Sequence, residues 1–307
     1  MRYIKGFPKK HNLFFVIMVG LILSLTNAIW AFLLSISESA NGNFFVVAFF
    51  MALGLFILPL FLLIIKKERF KFAALPAATG VVFGISNAIL LSIFTYKDSV
   101  VVYSFISPTI IVFILLELIV NKARINKTTK LKLIFGGALA AIGFLSLSLF
   151  GLNGSLINPY DLAISVFLIV LYGAAGFLLT ETGLRSKSTL NPVVNIGLFE
   201  LVAMLLFLPF GYSNLSFNGV DLAVLAGIVV SIGVMISFSG YSSVRGGENA
   251  LPYSSIIYIL SEMETLFLLV FYSIFVGRLS VYVILSIVLI TASVWYLSKE
   301  SNTALGS

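Results

Sequence analysis

Residues 251–276 read LPYSSIIYILSEMETLFLLVFYSIFV, an apolar run of membrane-spanning length with two carboxylates, Glu262 and Glu264, at its centre. Ten residues separate Pro252 from Glu262, about 15 Å of helix and half of a ~30 Å hydrocarbon core. Glu262 is therefore expected near the bilayer midplane. An acid at that depth is costly unless protonated, paired or wetted, which makes it a functional-site hypothesis by default.

The rest of the chain is of the same kind. Hydrophobic residues make up 60% of the 307, charged residues only 10%, and the mean hydropathy is +1.12. This composition lies outside that of soluble domains and predicts an all-α, polytopic membrane protein. Ten apolar runs are expected as spanning helices: 13–36, 44–65, 73–94, 99–120, 131–150, 161–180, 193–210, 221–241, 252–276 and 280–297. Each is near the ~20 residues that a span requires. The first run follows Arg2, Lys5, Lys9 and Lys10 but has no convincing cleavage site, so it reads as a retained helix rather than a signal peptide. With no cysteine, disulfides and thiolate metal sites are excluded. The single histidine, His11, reads as a solvated tail residue, and neither metal nor other cofactor is expected.

Basic residues give the orientation. KKERFK at 66–71, the five between Lys122 and Lys132, Arg185 with Lys187, Arg245 and Lys299 occupy every second connection. Of the nineteen basic residues only Lys97 and Arg278 fall on the other side, which predicts both chain ends in the cytoplasm. The net charge of +7 is thereby attributed to topology rather than to nucleic acid. An odd number of helices per half inverts the second half relative to the first, a common transporter design with substrate at the midplane. The expected organisation is a cytoplasmic tail at 1–12, five-helix repeats at 13–152 and 153–298, and a tail at 299–307. SVVVYSFISPTIIVFILLELI in the first repeat corresponds to ALPYSSIIYILSEMETLFLLV in the second.

Side-chain angles on a regular helix separate the two central acids. Residues two apart lie ~200° apart around the axis. Glu262 then shares a polar stripe with Ser255, Tyr258 and Thr265, while Glu264 falls among Ile257, Leu260, Phe267, Leu268 and Phe271. Glu262 is expected to line a cavity, and Glu264 to bond structurally to another helix. Glu200, in the run 193–210, is a third acid at depth, with small or soft Gly197, Ala203 and Met204 on its face. Glu117 and Glu181 sit near helix ends, where snorkelling or pairing with Lys or Arg is expected. Further lining is expected from Ser24, Asn27 and Trp30, from Asn87 beside Gly80 and Gly84, from Tyr103 and Ser107, and from Tyr172 beside Gly173 and Gly176.

Helix number, orientation, the internal Ser107-Pro108 and the Gly/Ala-rich LKLIFGGALAAIGFLSLSL together resemble the drug/metabolite transporter superfamily, in its EamA-like ten-helix members. Where that family often carries an acid after the fourth helix of each repeat, this chain has Lys122-Ala123-Arg124 and Gly277-Arg278. The resemblance implies a central cavity lined mainly by helices one, three, four, six, eight and nine, which favours Glu262 over Glu200.

The function expected is secondary active transport of a small organic solute across the plasma membrane. Central carboxylates without central Lys or Arg lean towards an amine or other cation, held by Glu262, Tyr258 and Trp30 through ion pairing and cation–π contact. A neutral sugar or an amino acid held by Asn, Ser and Tyr is the other small-solute option. Glu262, Glu200 and Glu264 are the acids able to carry a coupling proton. A lipid-linked carrier flippase or scramblase, or an uncoupled facilitator, is the alternative. An intramembrane enzyme is disfavoured by the lack of a nucleophile–base pair or metal cluster. Expected partners are the substrate, the lipid bilayer and a second copy in a homodimer.

Overall fold

The computed structural model describes residues 9–94, 108–121, 125–152, 159–207, 209, 216–245, 250–264, 266–267 and 281–298. Among them are ten helices and no strand: α1 (Lys9–Asn41), α2 (Phe44–Ile65), α3 (Ala74–Phe94), α4 (Thr109–Val120), α5 (Lys127–Leu152), α6 (Pro159–Arg185), α7 (Leu190–Phe207), α8 (Val220–Val244), α9 (Ala250–Ser261) and α10 (Val281–Ser298). Seven of these, α1–α3 and α5–α8, are long and apolar enough to cross a membrane, and the other three are shorter apolar helices. The outer surface carries large apolar side chains such as Phe14, Phe32, Phe61, Leu206 and Trp295. In water such a surface would drive aggregation, whereas in hydrocarbon it is the required one. The chain is a multi-pass membrane protein.

Local chemistry explains the sharp turn between α1 and α2. Gly42, at φ +69°, takes the left-handed conformation that ends a helix. One residue on, the Asn43 side chain accepts hydrogen bonds from the Phe45 and Val46 amides and caps α2. The Ser37 hydroxyl and the Asn41 amide then donate to carbonyls at Gly219, Ser216 and Asn218, tying this turn to the start of α8. At the other end, the basic connection after α2 is fastened to α7. Asn195 donates to the Lys71 carbonyl at 2.9 Å and accepts from the Ala73 amide, while Asn191 accepts from the Lys71 amide.

Helix α1 packs on α8 and α9; α2 lies between α7 and α8; α3 packs on α7 and α6; and α4 packs on α6. Helices α5 and α10 pair at one edge, where α4 and α9 meet them. Backbones approach where glycine removes the side chain. A Cβ on Gly227 of α8 would overlap the Met51 carbonyl of α2, and one on Gly80 of α3 would overlap the Ile196 carbonyl of α7. Such spacing allows association by van der Waals packing, since burial of apolar surface drives nothing within lipid.

The run 252–276 is not one straight helix. Helix α9 ends at Ser261, residues 262–263 form a turn, and Glu264 is again helical. The Glu262 amide still donates to the Tyr258 carbonyl four residues back, but the Met263 amide reaches only three back, to Leu260. That tightened turn shifts every side chain beyond it relative to a regular 3.6-residue helix.

Candidate functional site

A central cavity is lined by Asn27 and Trp30 of α1, Asn87 of α3, Thr109 of α4, Tyr172 of α6, Glu200 of α7, Tyr258 and Ser261 of α9, and both Glu262 and Glu264. Leu23, Leu55, Phe83, Ile196 and Val234 supply apolar wall. The space open to the centres of water-sized molecules is about 110 Å³, enough for several waters or one small solute, since a single water needs roughly 10–15 Å³ on this measure. Among the described residues no Lys or Arg lines it.

The tight turn at 262–263 overturns the expectation that Glu264 points away from Glu262. Both carboxylates reach the same cavity, within electrostatic range of each other, and Asn27 faces Glu264. Glu262 is held by α4: the Thr109 hydroxyl donates to Glu262 Oε2 at 3.0 Å, and the Tyr258 hydroxyl donates to Thr109 Oγ1 at 3.2 Å. The Tyr258 ring stacks on Phe113 with centroids 4.0 Å apart. It passes so close to Gly176 that a Cβ there would occupy the ring's edge.

Glu200 also enters the cavity, which corrects the preference drawn from the resemblance. Helices α2 and α7 both contribute lining, beyond the six that the resemblance implies. Glu200 Oε1 accepts from the Asn87 amide at 2.7 Å, and the Tyr172 hydroxyl donates to Asn87 Oδ1 at 2.5 Å. Asn87 thus spends both ends of its amide holding Tyr172 and Glu200, as a buried amide must if none of its polar groups is to be stranded. On α1, Trp30 Nε1 donates to the Met51 sulfur at 3.1 Å.

Two other polar positions behave differently. Ser24 and Ser255, placed by periodicity on the polar stripes of α1 and α9, are fully buried away from the lining. Tyr103, Ser107 and Thr265 lie outside the described residues. Phe113, which stacks on Tyr258, and Phe238 and Tyr241 of α8 are fully buried. The expectation of snorkelling fails for Glu117, which is completely buried, while Glu181 does pair with Arg185.

No family model matches the chain, and no curated protein matches it in sequence. Among solved structures, one described only as "Crystal structure of protein" superposes with a TM-score of 0.64 at 12% identity, covering 92% of this chain and 98% of its own. That likeness concerns the fold alone.

Proposed function

We propose that the protein is a secondary transporter of the drug/metabolite superfamily, an EamA-like carrier that moves a small organic cation across the plasma membrane in exchange for protons. One observation carries this reading: Glu200, Glu262 and Glu264 converge with Trp30, Tyr172 and Tyr258 on one cavity whose described lining has no basic residue. Three acids in a mostly apolar chamber cannot all remain charged without compensation. A cation with an apolar body supplies that compensation by ion pairing and by contact with the aromatic faces. Protons supply it when the cation leaves, so the two ligands compete and exchange.

Alternating access between two five-helix repeats, 13–152 and 153–298, fits the packing pattern. Adding five to each helix number turns α1 on α8 into α6 on α3, and α2 on α8 into α7 on α3. It also turns α1 on α9 into α6 on α4, and returns the pairs α2 with α7 and α5 with α10 to themselves. A two-fold relation between the halves has this signature, and with five spans in each half its axis would lie in the membrane plane. Helix α9, broken at mid-depth beside the cavity, is the kind of discontinuous element on which such carriers build ion sites.

The test uses tetramethylammonium, a permanent cation that cannot leak through lipid as a free base. In proteoliposomes containing a trapped pH indicator, its gradient should drive proton movement with wild type, and Glu262→Gln should abolish that movement. It should also raise the melting temperature of wild type and not of the variant, because a ligand stabilises only the state that it binds. Equal stabilisation of both proteins, or stabilisation by neutral sugars alone, would sink the cation reading.

A further inference from the structure

A second group of buried polar side chains lies between the cavity and the basic connections. Glu117, on the last turn of α4, has no exposed surface. Its Oε2 accepts from the Asn121 amide at 2.8 Å, and its Oε1 has no hydrogen-bond partner among the described residues. The same Asn121 amide donates to Glu181 Oε1 of α6 at 3.2 Å, and Arg185 Nε donates to Glu181 Oε2 at 2.7 Å. One guanidinium thus serves the carboxylate of Glu181, while Glu117, one amide further in, receives a neutral donor on one oxygen and nothing on the other. A bare carboxylate held in this way would bear the full cost of a buried charge, whereas a bound proton removes it.

Hydroxyl groups extend from the cavity part of the way towards this carboxyl. From Glu262 the polar contacts run through the Thr109 hydroxyl to the Tyr258 hydroxyl. Among the described residues no hydrogen bond joins Tyr258 to Tyr241 or Tyr241 to Glu117, although each pair lies within electrostatic range. Thr180 Oγ1 donates to the Tyr241 hydroxyl at 3.2 Å, holding it in this column. Glu117 is eight residues along α4 from Thr109, a distance of about 12 Å. Among the described residues, other titratable groups at this end include Glu181 and Arg185 on α6 with Lys187 after it, Tyr241 on α8 with Arg245 at its end, Tyr253 on α9, and Lys127, Lys130 and Lys132 on α5.

We infer that Glu117 is a second proton-binding site, the station through which a proton released from Glu262 leaves towards the basic-loop surface. In the transfer the O–H bond of the Glu262 carboxyl breaks and its proton passes to a neighbouring hydroxyl. Thr109 and Tyr258 each give their own proton onward, water crosses the remaining gap beside Tyr241, and a new O–H bond forms on the Glu117 carboxylate. Water at the loop surface takes that proton when this end of the molecule opens. The step moves a proton and one positive charge and requires no oxidant or reductant. Its role in exchange rests on the transport reading above, whereas the proton site itself does not.

Two measurements separate the two ideas. Infrared difference spectra of the full-length protein in liposomes, acid against alkaline, report protonated carboxyls by their carbonyl stretch. Glu117→Gln should remove one titrating band, and Glu117→Asp should keep it at a displaced frequency; an unchanged set of bands in Glu117→Gln overturns the proton site, whatever the protein transports. In proteoliposomes, Glu117→Gln should slow proton movement driven by tetramethylammonium on the order of a hundredfold, the scale of a lost positioned proton donor. Exchange of labelled for unlabelled tetramethylammonium, which needs no proton release, should persist. Proton movement at the wild-type rate in Glu117→Gln overturns the exit route. Should Glu117→Gln not fold, Tyr241→Phe should retain the infrared band and slow proton movement alone, and wild-type proton rates in that variant count against the route. Wild type that moves no protons with this cation removes the transport reading, and the infrared result still decides Glu117.

Discussion

Glu262 and Glu264 show how a local backbone irregularity changes the chemistry available to a site. On a regular helix they are independent groups on opposite faces, and the effects of removing each would add. The turn at 262–263 brings both to one cavity within electrostatic range, so their contributions should couple. In a double-mutant cycle, Glu262→Gln and Glu264→Gln should show an interaction of about 0.5–3 kcal/mol in tetramethylammonium binding, measured by calorimetry. Strict additivity would return them to separate faces. Asn27, Trp30, Asn87, Tyr172 and Tyr258 were legible as lining because each is a polar or aromatic residue at depth in an apolar run. The reach of Glu264 was not, because it depends on a hydrogen bond from Met263 to Leu260 that no periodicity encodes. Glu200 was underrated for a different reason: its partner Asn87 is 113 residues away in sequence.

Helices were more legible than their interruptions. Eight of the ten expected runs overlap the described helices closely in place, and of 99–120 the described part, 109–120, is helical, because a bilayer demands long apolar stretches whose backbone bonds are satisfied internally. In 252–276 the described helix stops at Ser261, and a turn at 262–263 precedes Glu264. Contacts between elements rest on glycines whose significance appears only with the partner helix in place. Gly227→Ala and Gly80→Ala should each lower stability by about 1–3 kcal/mol, the usual cost of overpacking, read as a drop in melting temperature in detergent. Gly42→Ala meets open space and should cost only the ~1–2 kcal/mol of a left-handed residue with a Cβ. Equal losses at all three positions would mean that close helix approach is not what these glycines provide.

At the level of the whole molecule, the absence of cysteine makes sidedness directly measurable. Arg69 and Asn218 are exposed, and they bond to neighbouring segments through backbone groups. Arg69→Cys and Asn218→Cys should therefore fold, and a membrane-impermeant maleimide applied to intact cells should label Asn218→Cys alone. Labelling of both variants, or of Arg69→Cys alone, would contradict the orientation derived from the basic connections. The repeat relation was only faintly legible, since similarity between the halves is confined to short segments around α4 and α9. The proposed relation draws its support from which helices touch, a property of folded topology rather than of residue identity.

The chain has two tryptophans, and they occupy opposite environments. Trp295 is 63% exposed on the outer, lipid-facing surface, while Trp30 is 7% exposed, against the Met51 sulfur in the cavity wall. With Trp295 replaced by phenylalanine, the remaining indole emission comes only from the chamber where the acids meet, giving the protein a built-in optical gauge of its own occupancy.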